Sequence, residues 1–254
     1  MRFVIRPPSI STTPRLLAQL LRCRTRRYPS RLTFRANYAT DLFLTYPPPE
    51  VTDNQPDVYP TVAAFFATNK FHQRIFLRAN GVPTPEGYGS RYEAAYARSG
   101  TWIVRPLRHS GGRNYQITDD PTQFHEGHQY VSRVFPKDAE YRLIFVFGDP
   151  LLLLKKLNPN NIPADQPWNH AQGCSFSTLS TPETARIFRV GLAARLAAVP
   201  IIKFAHIAAI DILWSNREGP SVCEINACPG LSIPANLEKV ANHVSHRYES
   251  TRPV

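Results

Sequence analysis

The sequence predicts an α+β fold with its antiparallel part in the second half, and three observations carry that expectation. Short apolar runs bounded by Gly, Pro, Asn or Asp recur at Gln129–Phe135, Tyr141–Phe147, Pro150–Leu154, Ile207–Trp214 and Ser221–Asn226, the pattern of strands joined by tight turns. Helical periodicity is confined to three stretches, Thr13–Leu21, Asn69–Asn80 and Pro182–Val199. Helices and strands are therefore segregated rather than alternating along the chain. Finally, 254 residues with 43% hydrophobic and 19% charged content bury a substantial core, as one large domain or two to three lobes.

Each element has a local reason. Arg2–Arg6 reads as a first strand, and Leu16, Leu17, Leu20 and Leu21 share one side of the helix that follows. A further strand is expected near Asp41–Thr45, and YPPPEVTDNQPDVYP is a linker by composition. The helix over Asn69–Asn80 ends at Gly81 and is stopped by Pro83. TWIVRPL is a buried strand, and RHSGGRNY is a glycine-containing loop after it. The turn Gly148–Asp149 separates two of the later strands, and Pro182 is acceptable in the first turn of its helix. Ser215–Pro220 is the loop of a closing hairpin, and no internal repeat is present.

Charge is unevenly placed. The net charge is +11, yet Met1–Thr40 alone holds nine Arg with no Lys and no acid, while the remainder carries 21 basic against 19 acidic residues. Such an end coats a βα opening or binds a polyanion such as nucleic acid, and it also resembles an organellar transit peptide. Its aromatics are only Phe3, Tyr28, Phe34 and Tyr38, too sparse for a single-strand stacking platform. Cys23, Cys174, Cys223 and Cys228 have no zinc-like spacing and suggest no disulfide framework. The most apolar stretch, Val199–Leu213, is broken by Pro200, Lys203, His206 and Asp211, so no membrane span is expected and a cytoplasmic protein is.

The closing hairpin is the strongest chemical signal. Folded symmetrically about Arg217 and Glu218, it sets Trp214 against Ser221 and Asp211 against Glu224. Glu224 and Asn226 then share one face. Two facing carboxylates repel unless something lies between them, and with an amide oxygen they form a hard ligand set suited to Mg²⁺. An ordinary solvated hairpin is the alternative. Upstream, Arg105 on its strand precedes His109, Ser110, Gly111 and Gly112, where glycines would let backbone amides approach an anion, with an ordinary hairpin turn as the alternative. Glu140 and Arg142 share a strand face, and Lys155 and Lys156 end the next strand, where they could reach phosphate oxygens or equally form a solvated strand end. The HEGH stretch at His125–His128 lacks helical ligand spacing and reads as a solvated turn. His206 reads as a core histidine, and His243 and His246 as surface residues of a polar tail.

Taken in order, "NK" at Asn69–Lys70, "WIVRP…SGG", "EYRLIFVFGD", "AAIDIL" and "CEINACPGL" resemble the ATP-grasp superfamily, especially its RimK-like and D-alanine–D-alanine-ligase-like members. The narrower likeness is to compact phage-type members. The resemblance implies two α+β lobes gripping ATP, with residues 1–60 as a reduced pre-grasp unit, 61–130 and 131–240 as the two lobes, and 241–254 as a tail. It implies that Asp211, Glu224 and Asn226 hold Mg²⁺, with Mn²⁺ a substitute, on the phosphates of ATP. Lys70, Arg105 and the loop His109, Ser110, Gly111 and Gly112 would contact or cover the phosphates. Backbone groups of Arg133 and Val134 would read the adenine edge, and Glu140 would take the ribose hydroxyls. Arg142 and Lys155 or Lys156 would face the phosphates, Asn169 would lie near the transferred group, and Pro229–Ser232 beside the acceptor. The implied activity is an ADP-forming ligase that joins a carboxylate to an amine, or a thiol, through an acylphosphate, with a peptide or small molecule as acceptor. A binding protein or a kinase of the same fold is the alternative, with the Arg-rich start docking nucleic acid or a protein. Three positions depart from the pattern: Arg105 stands where Lys is usual, Ala209 where D-alanine ligase relatives carry Arg, and Arg133 where an acid is common.

Overall fold

Asn69 starts the first described helix because its side chain accepts a hydrogen bond from the His72 amide at 3.1 Å, meeting one of the donors that a helix N-terminus leaves open. The computed structural model describes Leu20 and residues 69–107, 114–178, 184–197, 207–226, 229 and 233–250. The expected elements before Asn69, the loop His109–Gly112, Pro182, His206 and Cys228 lie outside these residues. Helix α1 spans Lys70–Ala79 and closes at Gly81, whose φ of +73° suits a residue without a Cβ.

After α1 come β1 (Gly87–Tyr88), α2 (Arg91–Ala94), β2 (Trp102–Pro106), β3 (Gln116–Thr118) and β4 (Gln129–Arg133). These strands form an antiparallel sheet in the order β1-β4-β2-β3. The second sheet contains β5 (Ala139–Val146), β6 (Asp149–Leu157), β7 (Ser175–Thr178), β8 (Ile207–Ser215) and β9 (Gly219–Asn226), antiparallel throughout in the order β7-β6-β5-β8-β9. Helix α3 (Thr184–Ala197) precedes β8, and α4 (Pro234–Ser250) follows β9.

Both faces of the five-stranded sheet are used. On one, Tyr141, Leu143, Phe145, Ile210 and Ile212 pack against Ile187 and Ala194 of α3 and Leu77 of α1. A Cβ on Gly191 would come within 2.5 Å of Leu143, so glycine permits this close approach of helix to sheet. On the other face, Leu237, Val240, Ala241 and Val244 of α4 cover Ile144, Val146, Leu152, Leu154, Ile207 and Ala209. That cover stops short of Glu140, Arg142 and Asp211, which leaves one end of the face to polar residues.

Two expectations need correction. The turn between β5 and β6 is Phe147–Gly148, one residue earlier than expected, with φ of +52° and +91°. Such a two-residue turn matches the twist of the strands it joins. The stretch assigned to a polar tail is largely helical: α4 runs to Ser250, and its apolar stripe at Leu237, Val240, Ala241 and Val244 is buried. His243 accordingly sits half-buried, 3.4 Å from Asp149. Among the described residues, no helix is long and apolar enough to cross a membrane.

Candidate nucleotide and metal site

A cleft lies between the two sheets, where β4 hands the chain to β5 through Val134–Asp138. Its walls come from both sheets: Arg105 and Arg133 on one side, Glu140, Lys156, Asp211 and Glu224 on the other. Residues far apart in sequence thus meet at one surface.

Two of the lining acids, Asp211 and Glu224, belong to a row set by strand register. Arg142 on β5 stands opposite Asp211 on β8, which stands opposite Glu224 on β9. The guanidinium of Arg142 donates to both oxygens of Asp211, Nε to Oδ1 at 2.6 Å and Nη2 to Oδ2 at 2.8 Å, the bidentate geometry that a planar fork allows. Lys70, at the start of α1, reaches across to Glu224 Oε2 at 3.4 Å and also donates to the Ile225 carbonyl at 3.0 Å. The two facing carboxylates are therefore flanked by cations, which offsets their repulsion. Burial pushes the Glu224 carboxyl up, but Lys70, Arg142, Arg105 and Arg74 together outweigh it and hold it below the ordinary carboxylate value. Glu224 is thus ionised at neutral pH.

Asn226 pairs with Ala209 two residues further along the ladder, on the same face as Glu224. Ala209 itself is fully buried beneath α4. A long arginine at that position would displace this packing, and the guanidinium beside Asp211 comes instead from Arg142 on the neighbouring strand.

A second cluster sits nearby. Glu140 is 8% exposed and is held by Lys137 at 2.7 Å through one oxygen and by Lys156 through the other. Both ammonium groups also tie down the loop between β6 and β7: Lys137 donates to the Gln166 carbonyl at 2.6 Å and Lys156 to the Trp168 carbonyl at 2.7 Å. The Trp168 ring lies 4.8 Å from the Lys137 ammonium. Burial pulls Lys137 below the ordinary lysine value, and Glu140 offsets only part of that.

Several expected residues fall elsewhere. Lys155 projects on the opposite face, 5.8 Å from the Tyr141 ring, so Lys156 is the cation that reaches the cleft. Asn169 caps a 3₁₀ turn at His170–Gln172, its side chain accepting from the Gln172 amide at 3.1 Å. The Arg133 amide donates to Glu86 and the Val134 amide to Thr101, both at 2.9 Å, so neither N–H is open to a base edge. His125 and His128 lie in a turn closed by the His128 amide bonding to the His125 carbonyl, and among the described residues no cluster of three His, Cys, Asp or Glu side chains forms.

Three residues at the site escape the sequence reading. Lys137 lies only three residues before Glu140, but in the irregular chain ahead of β5 that spacing carries no contact pattern. Phe176 underlies Arg142 at 4.5 Å, and nothing in its strand marks it. Arg74 had a legible signal: Gln73, Arg74 and Leu77 form the buried stripe of α1, and polar residues on a buried stripe need partners.

No family model matches the chain, and no curated protein matches it in sequence. Solved structures do. The D-cycloserine synthetase DcsG superposes with a TM-score of 0.65 at 15% identity, covering 97% of this chain and 99% of that one. A D-alanine–D-alanine ligase from Bacillus anthracis complexed with ATP gives 0.58 at 14% identity, with 98% and 99% covered. The ATP-grasp ligase PsnB, complexed with a phosphomimetic variant of its minimal precursor, Mg and ADP, gives 0.59 at 12% identity, with 96% and 98% covered. The architecture is the ATP-grasp fold.

Proposed function

We propose that this ATP-grasp fold works as an ATP- and Mg²⁺-dependent ligase that joins a carboxylate to an amine. The observation that carries the reading is the Arg142–Asp211–Glu224 row, whose two acids line the cleft, with Lys70 paired to Glu224. Two oppositely placed acids balanced by two cations, in a cleft further lined by Arg105, Arg133 and Lys156, suit a polyanion that arrives with its own cation.

The donor set fits Mg²⁺. Asp211, Glu224 and Asn226 offer hard oxygen ligands on one face, Glu224 stays ionised, and an ionised carboxylate that accepts from Arg or Lys keeps further lone pairs. Bound there, the metal would neutralise charge on the phosphates of ATP. Arg105 and Lys156 would face phosphate oxygens, Glu140 would take ribose hydroxyls, and the backbone at Arg133 and Val134 would meet the base through carbonyls. Arg142 would hold Asp211 in place and support the transferring group from beside it. The substrate carboxylate would attack the γ-phosphorus, ADP would leave, and the amine would then displace phosphate from the acylphosphate. Positioning and electrostatics supply this chemistry, so no side-chain nucleophile is required. Lys155 and Asn169 have no part in this scheme.

Thermal shift with ATP tests the reading. ATP with Mg²⁺ is expected to raise the melting temperature, chelation to remove most of the rise, and Asp211→Asn to abolish it. No shift at millimolar nucleotide would refute the site. ADP release that depends on an added amine separates a ligase from a kinase, and replacing the amine by a thiol tests the other acceptor class.

A further inference from the structure

The hairpin that carries Asp211 and Glu224 is not symmetric. From Ser215↔Gly219 to Ile212↔Val222 the strands pair in continuous register, and the next pair is Asp211↔Glu224. Cys223 is skipped: it is the extra residue of a β-bulge. Had the register continued, Asp211 would face Cys223, and Glu224 would lie opposite Ile210, on the apolar face that packs against α3. The bulge turns Glu224 and Asn226 onto the face of Asp211. It also explains why Val222 and Ile225, three residues apart, belong to the same buried cluster.

A bulge leaves its extra residue outside the ladder, and β9 is an edge strand. Helix α1 supplies the missing partners. Arg74 donates from Nε to the Cys223 carbonyl at 3.2 Å and approaches its Sγ from Nη2 at 3.7 Å. Around this contact, the Ile225 amide donates to Gln73 Oε1 at 3.1 Å, Lys70 reaches the Ile225 carbonyl, and the Val222 amide donates to the Pro83 carbonyl at 2.7 Å. Arg74 is 6% exposed and lies over the Tyr130 ring at 5.4 Å, so its guanidinium is fixed from behind by the four-stranded sheet while its fork grips the bulge.

We propose that Arg74 is a positioning residue: by gripping Cys223 it holds the bulge that aims Glu224 at Asp211, and so it sets the metal affinity of the pair. The inference rests on the reading of Asp211 and Glu224 as metal ligands. It links α1 and the four-stranded sheet to the cleft, since the same guanidinium touches Tyr130 of β4 and Cys223 of β9.

The test titrates Mg²⁺ at fixed ATP by thermal shift and follows hydrogen exchange over residues 219–226 without ligand. The chains compared are the unaltered protein, Arg74→Leu, Arg74→Lys, and Arg74→Leu with Cys223 deleted. Arg74→Leu is expected to weaken Mg²⁺ about tenfold and to speed exchange around the bulge. Arg74→Lys keeps the charge but not the two-pronged grip, and is expected to lose nearly as much. Deleting Cys223 makes the strand regular with Glu224 still opposite Asp211, so it restores both readouts in the Arg74→Leu background. Full affinity in Arg74→Lys would overturn the proposal, because charge alone would suffice. Unchanged affinity and exchange in Arg74→Leu, or no recovery on deletion, would also overturn it. If Arg74→Leu does not fold, Arg74→Lys and its combination with the deletion carry the same test. A wild-type protein with no Mg²⁺ response refutes the functional reading instead, and exchange alone then decides whether Arg74 pins the bulge.

Discussion

Two acidic centres share one face of the five-stranded sheet, and they are built differently. Asp211 and Glu224 each have a closely matched cation from a neighbouring element, and their side chains keep 18% and 24% of their exposure. Glu140 is more deeply placed and is held by two lysines, each of which also ties the Gln166–Trp168 loop. The first arrangement leaves oxygens near solvent that can exchange a partner. The second spends nearly all its hydrogen bonds on holding the structure together. Like residues on one face thus sit in different frames, two acids each matched to a single cation and the third shared by two lysines that also anchor a loop.

Glu224→Gln should break the comparison most sharply. It removes one ligand charge and almost no volume, so ATP turnover should fall by about a hundredfold or more while the melting temperature changes little. A steady-state ADP assay beside a melting curve checks both halves, and undiminished turnover would remove Glu224 from the metal set.

Glu140→Gln should cost stability as well as ATP affinity. It leaves the buried Lys137 and the part-buried Lys156 without their carboxylate, a loss on the order of 3 kcal/mol, which lowers the melting temperature by roughly 6–12 °C for a chain of this size. The loop around Trp168 should loosen with it, visible as a red shift and quenching of tryptophan emission. A melting curve that matched the wild type would show that the two lysines are satisfied without Glu140.

The smallest effect sharpens the electrostatics. Because the folded protein holds the Glu224 carboxyl low, its contribution to stability is complete above the ordinary carboxylate value and is lost as pH falls through the lower folded value. Lys70→Met removes one of the cations that oppose burial, so the folded value rises and the loss begins at higher pH. Melting temperature followed between about pH 3 and 6 should show the variant's decline displaced upward, and coincident profiles would mean that Lys70 does not hold Glu224 ionised.

Much of this was legible in residue order. The caps and apolar periods marked α1, α3 and β2 to within a few residues. Alternation along β5 placed Glu140 and Arg142 together, and the hairpin reading set Asp211 against Glu224. That last expectation reached the right pair by an incomplete route: a symmetric turn about Arg217 and Glu218 mispaired Trp214 with Ser221, whereas the strand pairs Trp214 with Pro220 and the bulge at Cys223 makes up the difference.

What the sequence by itself determined is local: which segments alternate with the period of a strand or a helix, where turns fall, and which acids and cations share a strand face. Tertiary structure decided which cation meets which acid. Lys156 rather than Lys155 reaches the cleft because register with β5, not spacing along β6, chooses the face. Arg74 finds Cys223 across lobes that no periodicity encodes, and Lys137 meets Glu140 three residues on through chain that is not helical. The cover of α4 ends where polar side chains begin, so one end of a buried sheet face is left to Glu140, Arg142 and Asp211. Pattern is a property of neighbours along the chain, whereas a site is a property of neighbours in space.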